Sequence, residues 1–164
     1  MKKILITGGC GFVGSNLIPL FLDKGYKVRV LDNFSNIDSQ YIDKLDVEVI
    51  EGDIRDKAIV KESIIGVEGV IHLAASGSVV ESVKYPVDNF DNNVIGTFTL
   101  LDECRKQKIN NIIFASTGGA LIGNAEPPVN EKSLPLPISP YGSSKLCCEA
   151  YCSSFSHSYD MNIT

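Results

Sequence analysis

The stretch Lys3-Ile4-Leu5-Ile6-Thr7-Gly8-Gly9-Cys10-Gly11-Phe12-Val13-Gly14-Ser15 decides the fold of this 164-residue chain. Its apolar start predicts a buried parallel strand, and apolar residues recur at helical spacing through residues 12–24. The glycines between the two elements satisfy both the GxGxxG and the GxxGxxG spacing. Such a turn lets the backbone approach a pyrophosphate, which the N–H groups and the positive dipole end of the helix then bind. We therefore predict a dinucleotide site at this turn.

Strands and helices alternate along the rest of the chain. We predict strands at residues 27–31, 47–50, 69–73 and 111–115, and helices at residues 56–65, 87–107 and 139–156. In the helix at 56–65, the residues predicted to face the core are Ala58, Ile59, Ile64 and Ile65. The proline-containing segment 120–138 is predicted to be a loop. This alternation predicts a doubly wound α/β Rossmann fold with a parallel sheet, forming a single domain over residues 1–164.

Composition excludes several classes of protein. The net charge of −5 gives no electrostatic case for binding nucleic acid or an anionic membrane. No apolar run approaches the roughly 20 residues needed to span a bilayer. The five cysteines are odd in number, and the chain shows no secretory signal, so we expect free thiols and a cytoplasmic protein. The cysteines and the two histidines have no metal-ligand spacing, and we predict no metal site.

The acid at the end of the second predicted strand indicates which dinucleotide is bound. Asp32 follows Gly14 by 18 residues, where a carboxylate accepts hydrogen bonds from the adenosine ribose and repels a 2′-phosphate. Asn33, Phe34 and Ser35 follow it, and none of them is a cation that would bind that phosphate. The pattern predicts NAD rather than NADP, although Asp32 could also be a simple turn former.

A tyrosine and a lysine share one face of the last predicted helix. Ser139-Pro140 is a typical helix start, with a serine N-cap and proline at the first helical position. Tyr141 and Lys145 are four residues apart, so the ammonium can favour the phenolate form of the tyrosine. Tyr-x-x-x-Lys often occurs by accident. Here it follows the fifth strand, at the sheet edge where such folds bind ligands, and Thr117 places a hydroxyl at the same edge.

With these residues identified, the chain resembles the extended short-chain dehydrogenase/reductase superfamily, and within it the UDP-sugar 4-epimerases of the NAD-dependent epimerase/dehydratase family. The resemblance covers all 164 residues. The matching motifs are Thr7–Ser15, Asp32-Asn33, Gly52-Asp53-Ile54, His72-Leu73-Ala74-Ala75, Asp91-Asn92-Asn93-Val94-Ile95-Gly96-Thr97, Phe114-Ala115-Ser116-Thr117 and Ser139-Pro140-Tyr141-Gly142-Ser143-Ser144-Lys145.

The resemblance implies a set of residues that contact NAD. They are Gly8, Gly11, Phe12, Val13, Gly14, Asp32, Asn33, Asp53, Ile54, Leu73, Ala74, Ala75, Asn93, Tyr141 and Lys145. Within this set, the resemblance implies that Phe12 and Val13 offer backbone N–H groups to the pyrophosphate. It further implies that Asp53 and Ile54 hold the adenine and that Asn93 fixes the nicotinamide side.

The resemblance also implies the chemistry. Tyr141 would act as the base on the sugar 4-hydroxyl, Lys145 would bind the nicotinamide ribose, and Thr117 would hydrogen-bond the reacting hydroxyl. NAD would take hydride from C4 and return it to the other face of a 4-keto sugar. His72 lies inside a matching motif, and we expect it to be a packed histidine without a catalytic role.

Three alternatives remain open at this stage. Dehydratases of the family carry an Asp-Glu pair after the hydroxyl residue, whereas Gly118-Gly119 stand here, which favours epimerisation. A 4-keto-sugar reductase would consume reduced cofactor. The chain could also bind NAD without turnover, because the resemblance implies a sheet truncated before its last strands and lacking a C-terminal substrate domain. Ile122-Gly123 replaces the usual Tyr-Gly near the substrate, so the sugar preference stays open.

The resemblance finally implies two partners: a UDP-hexose as substrate, and a second copy of the chain. Family members usually dimerise through four helices, two from each protomer. Both of the helices that take part, at about 87–107 and from Ser139 onward, are predicted in this sequence.

Overall fold

The described part of the chain forms a six-stranded parallel sheet in the order β3-β2-β1-β4-β5-β6. The structure is a computed structural model that describes residues 2–35 and 39–164. The strands are β1 (Lys3–Thr7), β2 (Lys27–Asp32), β3 (Glu48–Glu51), β4 (Gly69–His72), β5 (Asn111–Phe114) and β6 (Asn162–Ile163). The strand order reverses between β1 and β4, which in such sheets opens a crevice at the carboxyl ends of the strands. The predicted Rossmann fold is confirmed.

Helices connect the strands on both faces of this sheet. They are α1 (Phe12–Asp23), α2 (Lys57–Ser63), α3 (Val79–Lys84), α4 (Pro86–Phe90), α5 (Gly96–Lys106), α6 (Gly119–Ile122) and α7 (Pro140–Tyr159). The helix predicted at 87–107 consists of α4, a π-helical turn at Asp91–Ile95 and α5. A 3-10 helix at Ser39–Lys44 and the helices α3 and α6 were not predicted from the sequence, and α6 overlaps the start of the predicted loop.

The sheet separates two apolar clusters. Leu5 of β1 packs with residues of α2, α5 and α7, whereas its neighbours Ile4 and Ile6 pack on the other face, against Ile18 of α1. This alternation is the period of two expected for a strand covered on both faces.

The buried face of α2 differs from the predicted one. Val60 and Ile64 are buried, whereas Ala58 is exposed and Ile65 is 57% exposed, so the predicted inward positions Ala58 and Ile65 are wrong. Helix α2 ends at Ser63, so Ile65 lies beyond its last turn and no longer follows the helical spacing. Among the described residues, no helix is long and apolar enough to cross a membrane.

Candidate cofactor and catalytic site

At two positions of the turn between β1 and α1, Gly8 and Gly14, there is no room for a side chain. Gly8 has φ +66°, and a Cβ atom there would lie 2.6 Å from the backbone nitrogen of Ala74. A Cβ atom on Gly14 would lie 2.2 Å from the carbonyl oxygen of Gly9. Both approaches are to backbone atoms, which cannot move aside as a side chain can. Glycine at these two positions is therefore required by the packing of the turn against the loop after β4 and against α1.

The first turn of α1 presents backbone donors at the carboxyl edge of the sheet. The helix begins at Phe12, and its first N–H groups have no acceptor within the helix. The side chains of Phe12 and Val13 are exposed, Phe12 by 86%. Their apolar character therefore does not contribute to the core, while their backbone remains available to an anionic ligand.

The carboxylate of Asp32 is oriented by two backbone groups. Its Oδ2 atom accepts from the N–H of Cys10 at 2.9 Å, and Oδ1 accepts from the N–H of Phe34 at 2.9 Å. Each carboxylate oxygen has two acceptor directions, so these two backbone bonds do not saturate the carboxylate. The neighbouring Asn33 accepts from the N–H of Ser35 at 3.2 Å, which continues the same tight turn.

The side chain of Asp53 is occupied by Arg55. The guanidinium donates from Nε to Oδ1 at 2.9 Å and from Nη2 to Oδ2 at 2.7 Å, and the Arg55 N–H adds a bond to Oδ1 at 2.8 Å. These bonds lower the pKa of Asp53 to about 2. Asn33 donates weakly to Oδ2 at 3.4 Å. The carboxylate is thus nearly saturated, while Ile54 is buried against Gly96.

A cleft of about 290 Å³ connects these groups. Its lining residues are Gly8, Gly11, Leu31, Asp32, Asn33, Ser35, Gly52, Asp53, Ile54, Leu73, Ala74, Ala75, Ser76 and Asn92. The cleft runs from the glycine turn to the ends of β2, β3 and β4, which is the crevice expected at the reversal of strand order.

Asn93 is buried outside this cleft and joins two segments of the protein. Its Oδ1 atom accepts from the N–H of Ser76 at 2.8 Å, and its Nδ2 atom donates to the Ser76 carbonyl at 3.2 Å and to Ser144 Oγ at 2.9 Å. The amide therefore fixes the loop after β4 relative to α7. Its effect on a bound ligand would be indirect, through the position of Ser76.

His72 is a packed histidine, as predicted. Its Nδ1 atom lies 2.6 Å from Thr7 Oγ1, and its Nε2 atom lies 2.9 Å from Thr97 Oγ1. Burial and the nearby charge of Lys145 lower the pKa of His72 to about 3, so the ring is neutral. The histidine joins β1, β4 and α5 and has no free ring nitrogen for catalysis.

Helix α7 begins as the sequence predicts. Ser139 caps it by accepting from the N–H of Gly142 at 3.1 Å, and Pro140 occupies the first turn. A Cβ atom on Gly142 would lie 2.1 Å from the carbonyl oxygen of Ala120. Helix α6 therefore packs directly on the first turn of α7, which brings the segment after Thr117 close to Tyr141. Both of these side chains are half-buried.

Lys145 is a buried cation at the end of β5. It is 4% exposed, its Nζ donates to the carbonyl of Ala115 at 2.8 Å, and it lies 4.7 Å from the centre of the Phe114 ring. Burial lowers its pKa. The neighbouring Ser116 hydroxyl donates to Glu149 of α7 at 2.5 Å, which ties the strand end to the same helix.

The chain is similar in sequence to known proteins over nearly its whole length. A model of the NAD dependent epimerase/dehydratase family matches residues 4–164. The chain belongs to this family. It is 41% identical to a putative UDP-glucose 4-epimerase of Methanocaldococcus jannaschii over 160 residues, which is 95% of the chain and 52% of that protein. The UDP-glucose 4-epimerase of Corynebacterium glutamicum is 35% identical over 164 residues, 99% of the chain and 49% of that protein.

Several solved structures of UDP-glucose 4-epimerases have the same fold as this chain. The Thermus thermophilus UDP-glucose 4-epimerase in complex with NAD superposes with a TM-score of 0.93 and 36% identity, covering 98% of this chain and 53% of that one. The Thermotoga maritima UDP-glucose 4-epimerase with UDP-glucose has a TM-score of 0.91 at 36% identity, covering 98% and 53%. The chain thus spans about half the length of the relatives that it matches.

The structure of this epimerase/dehydratase chain brings most predicted cofactor residues together. The cleft contains Gly8, Gly11, Asp32, Asn33, Asp53, Ile54, Leu73, Ala74 and Ala75. Phe12, Val13 and Gly14 form the adjoining helix start. Thr117 follows β5, Lys145 contacts the Ala115 carbonyl after that strand, and Tyr141 lies one turn before Lys145 on α7. The cleft also contains five residues that the predicted set lacks: Leu31, Ser35, Gly52, Ser76 and Asn92. Among the described residues, no cluster could hold a metal ion, and the five cysteines are free thiols.

Proposed function

We propose that the chain binds NAD along the carboxyl edge of the sheet and forms the cofactor half of an enzyme that epimerises a nucleotide-sugar at C4. The proposed substrate class is the UDP-glucose/UDP-galactose type, because relatives are named UDP-glucose 4-epimerase and UDP-galactose 4-epimerase. The observation that supports this most strongly is a single edge holding both a glycine-walled cleft with Asp32 and the buried cation Lys145.

The adenosine end of NAD fits the cleft residues. The Asp32 carboxylate lies in the cleft and can accept hydrogen bonds from the ribose hydroxyls, and its negative charge disfavours a 2′-phosphate. Asn33 lies beside it. Asp53 and Ile54 would hold the adenine mainly through their backbone, because Arg55 engages the Asp53 carboxylate.

The pyrophosphate fits the helix start. Gly8 and Gly11 line the cleft beside the start of α1, and the N–H groups of Phe12 and Val13 offer hydrogen bonds at the positive end of the helix dipole. Leu73, Ala74 and Ala75 would line the opposite wall, since the loop after β4 packs against Gly8.

The catalytic roles belong to α7 and the end of β5. Tyr141 would take the proton from the sugar 4-hydroxyl, and Thr117 would hydrogen-bond that hydroxyl. Lys145 would hold the nicotinamide ribose and favour the phenolate of Tyr141, since its ammonium lacks a carboxylate partner among the described residues. Asn93 would support the nicotinamide side by fixing Ser76. Bound NAD supplies the hydride acceptor and donor at C4, and the sugar passes through a 4-keto form.

The absence of an acid beside Thr117 favours epimerisation over dehydration. Gly118 and Gly119 follow it, and a Cβ atom at either glycine would meet nothing within 4 Å, so the position has space but no carboxylate. One alternative is a 4-keto-sugar reductase, which could use the same site residues. Such an enzyme would consume reduced cofactor. The other alternative is NAD binding without turnover, because the chain covers about half the length of its relatives.

A two-step experiment tests the proposal. NAD is first titrated into the protein by calorimetry, and the NAD-loaded protein is then incubated with UDP-glucose, UDP-galactose and their N-acetyl forms. Interconversion without net change in cofactor supports the epimerase, whereas net oxidation of NADH in a separate incubation with a UDP-4-keto-hexose supports the reductase. Binding without turnover identifies an NAD-binding module, whereas failure to bind NAD contradicts the proposal.

A homodimer and a cytoplasmic location belong to the same proposal. Phe98 of α5 and Tyr151 of α7 are partly exposed and stack edge to face with their centroids 5.2 Å apart, and Val87 and Phe90 of α4 are also exposed. This apolar surface fits a two-fold contact between helices, so sedimentation velocity should give twice the mass of one chain. The free thiols fit a reducing compartment.

A further inference from the structure

One peptide unit of the glycine turn is held at both ends. The N–H of Cys10 donates to Asp32 Oδ2 at 2.9 Å. The carbonyl of Gly9, which belongs to the same peptide bond, accepts from the hydroxyl of Tyr41 at 2.7 Å. Because a peptide bond is planar, fixing the direction of the carbonyl also fixes the direction of the N–H. Tyr41 and Asp32 are therefore connected through one rigid peptide unit, although they are nine positions apart in the sequence.

The surroundings of this peptide leave it little freedom. Gly14 lies so close to the Gly9 carbonyl oxygen that even a Cβ atom would come within 2.2 Å of it. The Gly9 Cα is likewise enclosed, since a Cβ atom there would lie 2.8 Å from Val30. The carbonyl is thus confined between the start of α1 and the Tyr41 hydroxyl.

Tyr41 is itself anchored to the core. It belongs to the 3-10 helix Ser39–Lys44, whose Ile42 is buried in the apolar cluster of Ile18 and Val30. Burial raises the pKa of Tyr41 to about 12, so its hydroxyl keeps the donor proton over the whole physiological range. Tyr41 is not among the described residues that line the cleft.

We propose that Tyr41 is a positioning residue of the dinucleotide site: its hydroxyl sets the Gly9–Cys10 peptide, and through it the Asp32 carboxylate and the glycine turn. This inference rests on the proposed function, because the ligand it concerns is NAD. A purely structural anchor would stabilise the fold without changing the affinity of folded protein for NAD.

The test compares Tyr41→Phe with Tyr26→Phe. Tyr26 is a matched control, because it packs in the same apolar cluster, 5.1 Å edge to face from Phe21, and lies outside the site. Dissociation constants for NAD, ADP and NADP are measured at a temperature where every variant is folded. Exchange of the Cys10 amide proton is followed by NMR without ligand.

We expect Tyr41→Phe to weaken NAD and ADP alike by about fivefold, the fold-change that corresponds to one lost neutral hydrogen bond. Preference for NAD over NADP should fall, and Cys10 amide exchange should become faster, while Tyr26→Phe changes none of these. If wild type binds NAD and Tyr41→Phe binds it equally well, the inference is overturned even when the melting temperature falls. If wild type itself does not bind NAD, the proposed function fails and the inference with it.

Discussion

The adenosine end and the catalytic end of the site are built differently. At the adenosine end, Asp32 and Asp53 each accept several hydrogen bonds from nearby groups, and the cleft between them is already formed. At the proposed catalytic end, the Lys145 ammonium contacts the Ala115 carbonyl and the face of the Phe114 ring, and it has no carboxylate partner among the described residues. The proposed adenosine end is therefore held in a defined geometry by hydrogen bonds within this chain. Cofactor binding and turnover can accordingly be tested as separate properties.

The largest effect on the adenosine end should come from filling the glycine turn. Gly14→Ala places a methyl group 2.2 Å from the Gly9 carbonyl, so the turn must open. We expect NAD affinity to fall by about a hundredfold, from an overpacking cost of about 3 kcal/mol. The measurement is NAD titration by calorimetry, with Gly77→Ala as the control, because a Cβ atom at Gly77 meets nothing within 4 Å. Equal losses in both variants would contradict the argument.

A smaller effect should follow from removing the charge of Asp32. Asp32→Asn keeps the shape of the side chain but loses an acceptor and the negative charge. We expect NAD affinity to fall by about thirtyfold, the scale of one charged hydrogen bond of about 2 kcal/mol. NADP should lose less, because the repulsion of its 2′-phosphate disappears. Titration with both nucleotides tests this against the exposed Asp46→Asn; an unchanged ratio of the two affinities would refute the role of Asp32.

Much of the adenosine end was predictable because its signals are local. The glycine turn, the strand before it and Asp32 at the end of β2 all lie within residues 3–32, and the structure places them as predicted. Helix α3 also had a local signal, since Ser78 caps it by accepting from the N–H of Glu81, and Ser-x-x-Glu is a capping pattern. That pattern was overlooked in the sequence.

Other features depend on contacts between distant parts of the chain. Asn93 reaches Ser144, 51 residues away, and Tyr41 reaches Gly9, 32 residues away. No periodicity or motif in the sequence near Asn93 or Tyr41 indicates which distant residue it will contact. Helix α6 was missed for a related reason, since it is short and packs through the backbone of Ala120 against Gly142. Such elements become visible only when the fold brings the two segments together.

The catalytic end can be examined through stability, without turnover. Burial lowers the pKa of Lys145 below its ordinary 10.5, so the unfolded chain holds this proton more tightly than the folded chain does. The buried ammonium therefore costs stability at neutral pH, and the cost is relieved as pH rises toward 10.5. We expect Lys145→Met to raise the melting temperature at pH 7 by about 3 °C.

The pH dependence provides the control for this variant. Wild type should gain stability relative to Lys145→Met as pH rises toward 10.5, because the folded chain loses the Lys145 proton at lower pH than the unfolded chain does. For Lys61→Met, on the exposed side of α2, the difference in unfolding free energy from wild type should not change in this way with pH. Urea unfolding at several pH values measures these free energies. A difference between wild type and Lys145→Met that stays constant with pH would show that the buried charge does not destabilise the fold.

The smallest expected effect concerns the ion pair at the rim of the adenosine end. The folded pKa of Asp53, about 2, lies below its ordinary 3.8, so the carboxylate stabilises the fold above pH 3.8 and this contribution is lost as pH falls through the folded pKa. Both side chains are partly exposed, at 26% and 42%, so solvent screening limits the pair to less than about 1 kcal/mol. Arg55→Met should therefore lower the free energy of unfolding at pH 7 by less than about 1 kcal/mol. Urea unfolding measures this loss, with Lys24→Met as the control, and the loss should become smaller as the pH is lowered toward 2. A cost of several kcal/mol would mean that Arg55 organises the adenosine end rather than only screening its charge.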